Sequence, residues 1–371
     1  MQLKLRQASF LASIFLAITT TPVIAKVSVL KAEDASADFP AALKFGTKIE
    51  GASVNAKGHL FAVDGSNVVS LSDGTVVLKG PGSAAEKPIS FLAGSRFLKN
   101  GDLVATDAVG HLAFTVPKGA DPNSPLTLVT SDKFLQPNDL AVTACGRFIY
   151  FSGMNYTSDS VAGEHGEVGW IDMFAPPLSR SLKKLPKEIL AAGQVFRANG
   201  IEIIEKGGKE YLYLTSAENK ADAVVSTRII RFEIDKFTGE PKTPTVALDI
   251  GARLETEGVI TQAELTKVGM DPDGMRADSK GNLYMTLNAF KSVLRWDIDE
   301  DKLTLVELKT VFFPVNLEFG GENGDDLVVV GKCEGNAKAC VDRIKFEDKP
   351  VGRAFSILNG KGGKRRRAWK A

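Results

Sequence analysis

A glycine followed by a β-rich run recurs six times in this chain, at Gly58, Gly101, Gly146, Gly207, Gly281 and Gly324, and the repeat leaves few folds open. Runs such as Leu60 to Asp64, Leu103 to Asp107 and Leu283 to Leu287 read as strands fed by a turn. Successive glycines lie 43, 45, 61, 74 and 43 residues apart, the length of one four-stranded propeller blade, with insertions in the third and fourth intervals. Further alternating segments at 228–233 and 293–297 supply outer strands. A solenoid of stacked turns would repeat at a shorter and more regular period, and a seventh blade would need a repeat that the chain lacks. The fold expected is therefore all-β, a six-bladed β-propeller, with short helices only at 182–192 and 260–267 inside the long insertions.

Counting back eight residues from each repeat glycine gives Glu50, Ala93, Asn138, Asn199, Asp273 and Asn316, five of which carry a side-chain oxygen. Each precedes an apolar segment that reads as the innermost strand of its blade. Inner strands surround the central channel of a propeller, so equivalent positions form a ring at one end of it. Two carboxylates and up to three amide carbonyls on one axis suit a hard cation with six to eight oxygen ligands. Calcium tolerates irregular geometry and neutral oxygens better than magnesium, and the absence of His and Cys from the ring argues against zinc and copper. Asn and Asp also favour turns for local reasons, but turn chemistry does not require a fixed offset across five repeats. Asn316 is the weakest member of the set.

Lys4 and Arg6, the apolar run from Phe10 to Ile18 and the small-residue site ending at Ala25 read as a cleavable leader over residues 1–25. The run is too short to span a bilayer as a helix, so the expected product is secreted and extracellular, free of membrane after cleavage. Residues 26–360 form the propeller in this reading, and the basic residues at 361–371 a solvated tail. With 44% hydrophobic and 25% charged residues and a net charge of +1, the chain has an ordinary core and no broad basic field for nucleic acid. A monomer is expected. Cys333 and Cys340 flank a short loop and are the natural disulfide, leaving Cys145 as a small buried thiol. Asn155 heads the one sequon not blocked by proline, a candidate glycosylation site.

The segments Pro137-Asn138-Asp139, Ala198-Asn199-Gly200 and Pro272-Asp273-Gly274, with Glu50-Gly51 and the run from Gly281 to Tyr284, resemble the calcium-dependent propeller lactonases of the regucalcin and gluconolactonase family, over roughly residues 49–330. The resemblance implies that Glu50, Asn138, Asn199 and Asp273 hold one divalent ion, that Asp273 also serves as general base, and that a cyclic ester is hydrolysed with the metal polarising its carbonyl. Members of the regucalcin type carry an Arg where this chain has Gln136, which separates its substrate from theirs. His165, in the loop between Gly153 and Gly166, is a further candidate acid or base by comparison with arylesterase-type propellers, whereas His59 and His111 read as strand-face residues. No nucleophile elbow, P-loop or zinc-binding His pair is present. The expected activity is a secreted calcium-dependent hydrolase acting on a small lactone or related ester. The alternative is a non-catalytic secreted scaffold with a structural calcium.

Overall fold

The computed structural model describes residues 27–46, 48–80, 91–336 and 338–360; the expected leader (1–25) and basic tail (361–371) lie outside them. Each repeat glycine has a φ between 62° and 96°, a conformation that a Cβ disfavours, and so marks the tight turn between the first two strands of its blade. Six separate sheets result. Their innermost strands are Ile49–Val54, Leu92–Phe97, Pro137–Val142, Arg197–Lys206, Asp271–Ala277 and Val311–Gly320. Each inner strand touches those of the blades before and after it, and the sixth touches the first, closing a six-bladed propeller.

The N-terminal segment makes the closure. Glu33–Asp34 is the outermost strand of the sixth blade, antiparallel to Ala339–Ile344, while Ser28–Lys31 adds a parallel fifth strand to the fifth blade along Lys302–Glu307. The start of the described chain is thus woven into the outer edges of the last two blades.

The core lies between the blades and not within any one of them. Six apolar clusters fill the six interfaces, because alternate side chains of a strand face opposite neighbours. Leu103 and Ala105 of the second blade pack on the first, and Val104 on the third. Leu327 and Val329 of the sixth blade likewise face the fifth, and Val328 and Val330 face the first.

The helix expected at 182–192 is shorter, Lys187–Ala192, since Pro186 starts it and residues Lys183–Lys184 form an edge strand. The one expected at 260–267 is Gln262–Val268, opened by a capping box between Thr261 and Glu264 and closed by Gly269 in the left-handed region. Ile250–Thr256 and Arg353–Leu358 are additional helices. The latter packs against the channel end opposite the ring, where Gly352 donates to the Gly324 carbonyl.

Cys333 and Cys340 form the expected disulfide. Cys145, by contrast, is exposed: it occupies the tip of the turn after Pro137–Val142, outside any interface between blades. His59 and His111 also depart from expectation, His59 lying just before the strand that starts at Leu60 and His111 in a turn with a positive φ, and neither on a strand face.

Beneath the ring, three arginines and three carboxylates fill the channel. Arg96 donates to Glu202 (3.0 Å), Glu318 (2.5 Å) and the Leu140 carbonyl. Arg276 donates to Asp139 (2.7 Å), Glu318 (3.1 Å) and the Ala52 carbonyl. Arg353, from the C-terminal helix, reaches Glu202 and the Val142 carbonyl. All six blades contribute an atom to this buried layer. Removing one partner from such a layer strands charge in a dry interior, at a typical cost of about 3–5 kcal/mol. Arg276→Met, which leaves both Asp139 and Glu318 short of a partner, is expected to lower the denaturant midpoint by an amount corresponding to a loss of that size. Arg147→Ala, at the partly exposed pair with Asp172, should cost about 1 kcal/mol or less; equal effects of the two variants in denaturant unfolding would refute the assignment.

Candidate metal centre

Near its mouth end each of the first five inner strands carries one residue more than the strand it pairs with, and the sixth carries two more, at Val311 to Phe313 and at Pro314 to Asn316. Glu50 to Ser53, Leu92 to Ser95, Pro137 to Leu140, Ala198 to Ile201 and Pro272 to Met275 each oppose a shorter step in the partner strand, as do Pro314 and Asn316 in the sixth blade. A bulge of this kind bends a strand and re-aims the side chain that it carries. Each residue of the ring lies in one of these bulges or at its end. Side-chain hydroxyls on the second strands fasten two of them: Thr106 donates to the Asn138 carbonyl and accepts from Gly94, and Ser152 accepts from the Asp139 amide.

Glycine follows the ring residue in four blades because the next blade presses against it. A Cβ on Gly51, Gly94 or Gly200 would stand 2.2–2.4 Å from the carbonyl oxygen of Ala93, Asn138 or Asp273. Ring positions of neighbouring blades therefore touch through their backbones.

Glu50, Asn138 and Asp273 are half-buried, and Asn199 and Asn316 are buried. Asp273 accepts from the Nδ2 of Asn288 at 3.3 Å, and it lies within the field of Glu50 and Asp271. Burial, then Glu50, then Asp271, push its carboxyl well above the ordinary range. Burial likewise raises Glu50 to about 8, against a smaller downward pull from Lys332 and with a further push from Asp139. The two carboxylates cannot both ionise comfortably unless a cation joins them.

Among the described residues the Oδ1 of Asn199, a residue only 5% exposed, has no hydrogen-bond partner, and neither does the buried hydroxyl of Thr215 on the adjacent strand. A buried, unpaired amide oxygen beside two charge-strained carboxylates is the donor chemistry that a hard cation would satisfy. Among the described residues no group of three or more His, Cys, Asp and Glu side chains is placed to hold a metal; what the mouth offers is two carboxylates supplemented by amides.

The other expected members fall differently. Ala93 leaves the second blade without a donor. Asn316 turns its Oδ1 to its own strand, accepting from the Leu317 amide at 2.9 Å. Gln136 sits two residues before Asn138, with its carbonyl accepting from Met154. His165 uses Nδ1 to accept from the Val161 amide at 2.9 Å, and its carbonyl accepts from Asn155, so it fastens its own loop. Asn155 is exposed on that loop.

Several site residues escape the eight-residue count. Asn288 ends the second strand of the fifth blade, opposite Asp271, and Asp271 is bound by Arg197 at 2.7 Å. Arg197 is also held by Asn219. Lys332 continues the face of Val328 and Val330 toward the first blade and so reaches the vicinity of Glu50. A count of two residues before each ring position would have found Arg197 and Asp271; Asn288 and Lys332 need the strand pairing.

No curated protein matches the sequence. Solved structures share its fold at low identity. A luciferin-regenerating enzyme aligns at TM-score 0.59 and 14% identity, covering 86% of this chain and 96% of the other. A gluconolactonase from Xanthomonas campestris aligns at 0.55 and 16%, covering 86% and 96%. Regucalcin from Agrobacterium tumefaciens, a calcium-binding protein, aligns at 0.55 and 14%, covering 89% and 99%. The family model for the SMP-30/gluconolactonase/LRE-like region matches residues 67–331, a span that includes Asn138, Asn199, Asp273 and Asn316 but begins after Glu50. That span is well over half of the sequence, and the chain belongs to the SMP-30/gluconolactonase/LRE-like family.

Proposed function

We propose that this chain is a divalent-cation-dependent hydrolase of a lactone or related ester, working at the channel mouth with calcium held by Glu50, Asn138, Asn199 and Asp273. The unpaired Asn199 Oδ1 beside two carboxyls of raised pKa is the observation that carries the reading. Family membership and the cited gluconolactonase support it. When bound, the cation would supply a Lewis acid for the substrate carbonyl and offset negative charge developing on its oxygen.

The chain's own residues would do the rest. Asp273 would take a proton from the water that attacks the carbonyl carbon and return it to the departing ring oxygen as the C–O bond breaks, leaving a hydroxy acid. Asn288, donating to Asp273 Oδ2, fixes the orientation of that carboxylate. Asn138, two blades away from Asp273 in the ring, would orient the carbonyl.

The raised pKa of Glu50 sets a sign for stability. In the cation-free chain its protonated form contributes stability that is complete below the unfolded value near 4.5 and is lost as the pH rises through about 8. Dialysed protein should therefore melt at a lower temperature at pH 8 than at pH 5, and added calcium should raise Tm more at pH 8, where fewer protons must be displaced than at pH 5. A Tm indifferent to calcium and chelator at both pH values would remove the metal from the proposal.

Turnover tests the enzyme against the scaffold reading. Aldonolactones, simple γ- and δ-lactones and aryl esters, assayed with and without calcium, should include one class hydrolysed only with the cation; none at all would favour a scaffold tied by calcium. On the best substrate, Asp273→Asn should lower kcat by roughly 10²- to 10⁴-fold, the usual loss with a general base, and Asn138→Ala by less. The reverse order would move the base elsewhere.

Export to an oxidising compartment is part of the same proposal, supported by the leader-like residues 1–25 and by the Cys333–Cys340 disulfide. The mature chain should begin at Lys26 by N-terminal sequencing of protein from outside the cell, and recovery of full-length chain with free thiols from the cytoplasm alone would refute it.

A further inference from the structure

Tyr156 stands apart from the other aromatic residues of the mouth. Its side chain is 68% exposed, and among the described residues its hydroxyl has no hydrogen-bond partner, although it lies within the field of Asp271, Asp273 and Glu50. Under the ring sits the guanidinium of Arg197, 5.1 Å from the centroid. Arg197 is itself 2% exposed and fixed by Asp271 and Asn219.

The loop that carries Tyr156 is fastened along its length. Asn219 donates from Nδ2 to the Thr157 carbonyl and from its backbone to Ser160 Oγ, while the Ser160 amide returns a bond to the Asn219 carbonyl. His165 closes the loop at its other end. An aromatic face is thus held over a buried cation and turned outward above the candidate metal centre, at little entropic cost to a ligand that stacks on it.

Polar groups free to meet a substrate are scarce at the same height. The residues two before each ring position are Lys48, Phe91, Gln136, Arg197, Asp271 and Pro314. Arg197 and Asp271 are committed to each other and Lys48 lies over the Phe91 ring at 5.8 Å, which leaves the half-buried Gln136 as the one side-chain amide of the six open to a substrate. Half-buried Phe312 and Phe313, edge to face at 5.0 Å, precede Asn316. A polyhydroxylated lactone would find few partners in such a collar, whereas an apolar substituent would find aromatic surface on several sides.

We propose that Tyr156 is a substrate platform and that the ring selects lactones or esters bearing an aromatic or alkyl substituent over polyhydroxylated ones. The inference rests on the hydrolase reading for the site, and its test separates the two.

The intact protein, Tyr156→Phe and Tyr156→Ala are compared on a phenyl-substituted δ-lactone, on δ-valerolactone and on a polyhydroxylated six-membered lactone, with calcium present. The phenyl lactone should have the highest kcat/KM, and its advantage over δ-valerolactone should fall about tenfold in Tyr156→Ala, mainly through KM, as expected for one lost stacking contact. That advantage should persist in Tyr156→Phe. Preference for the polyhydroxylated lactone, or a Tyr156→Ala effect equal on phenyl and unsubstituted lactones, overturns the proposal, the latter because it reports only a loosened loop.

If no lactone is turned over, the hydrolase reading has failed, and titration calorimetry with the corresponding lactams decides the platform by itself. Tighter binding of the phenyl lactam than of δ-valerolactam by the intact protein, with the difference lost in Tyr156→Ala, sustains it. Equal binding by the intact protein overturns it.

Discussion

Six sheets that share no hydrogen-bonded edge are held to one axis by three arginines and three carboxylates packed beneath the ring of candidate ligands. Burying these charges costs several kcal/mol each, and only a complete set of partners offsets that cost. A blade rotated or slipped by one residue would lose its place in the layer, since a one-residue slip sends a strand's side chains to the opposite face. Apolar contacts between blades supply adhesion without that selectivity. The height of the ring above the layer follows: Glu202 and Arg276 each lie three residues along the strand from Asn199 and Asp273.

The bulges divide the inner strands between two duties. Below the bulges regular pairing carries the structural charges, Asp139 in the bulge of the third blade excepted, and the alternation that fills the interfaces. At the bulge the extra residue frees one side chain from that alternation and aims it at the channel. Glycine after it allows neighbouring blades to approach within backbone contact, which gathers side chains distant in sequence. The consequence is electrostatic strain: burial at the mouth, with Asp139 acting on Glu50 and with Glu50 and Asp271 acting on Asp273, raises both carboxyls above the ordinary range.

How much of this the sequence disclosed depended on whether a feature repeats. The blades and the ring were legible because a turn glycine and an oxygen-bearing residue recur at fixed offset. The charged layer sits in the same register, at Arg96, Glu202 and Arg276, three residues beyond ring positions, but Asp139 and Glu318 break the count and hide it. Asn288 and Lys332 become neighbours of the ring only through strand pairing, and Arg353 only through the docking of a helix at the far end. Strands as short as Glu33–Asp34 have no periodicity to read. The solvent-facing placement of Cys145 was missed because a strand pattern does not locate the tip of its turn.

The pairing of the N-terminal segment has a consequence for the order of assembly. Ser28–Lys31 pairs with residues 304–307, and Glu33–Asp34 with residues 342–343, so this segment must wait for partners made after four whole blades. Until then the fifth and sixth blades each present a bare flank, and the first blade has no neighbour on one side. Contacts between segments so far apart in sequence are slow to form, and a nascent chain will carry exposed β-edges for most of its synthesis. The annulus becomes a single object only when its two ends have both arrived, like a belt that bears no load until it is buckled.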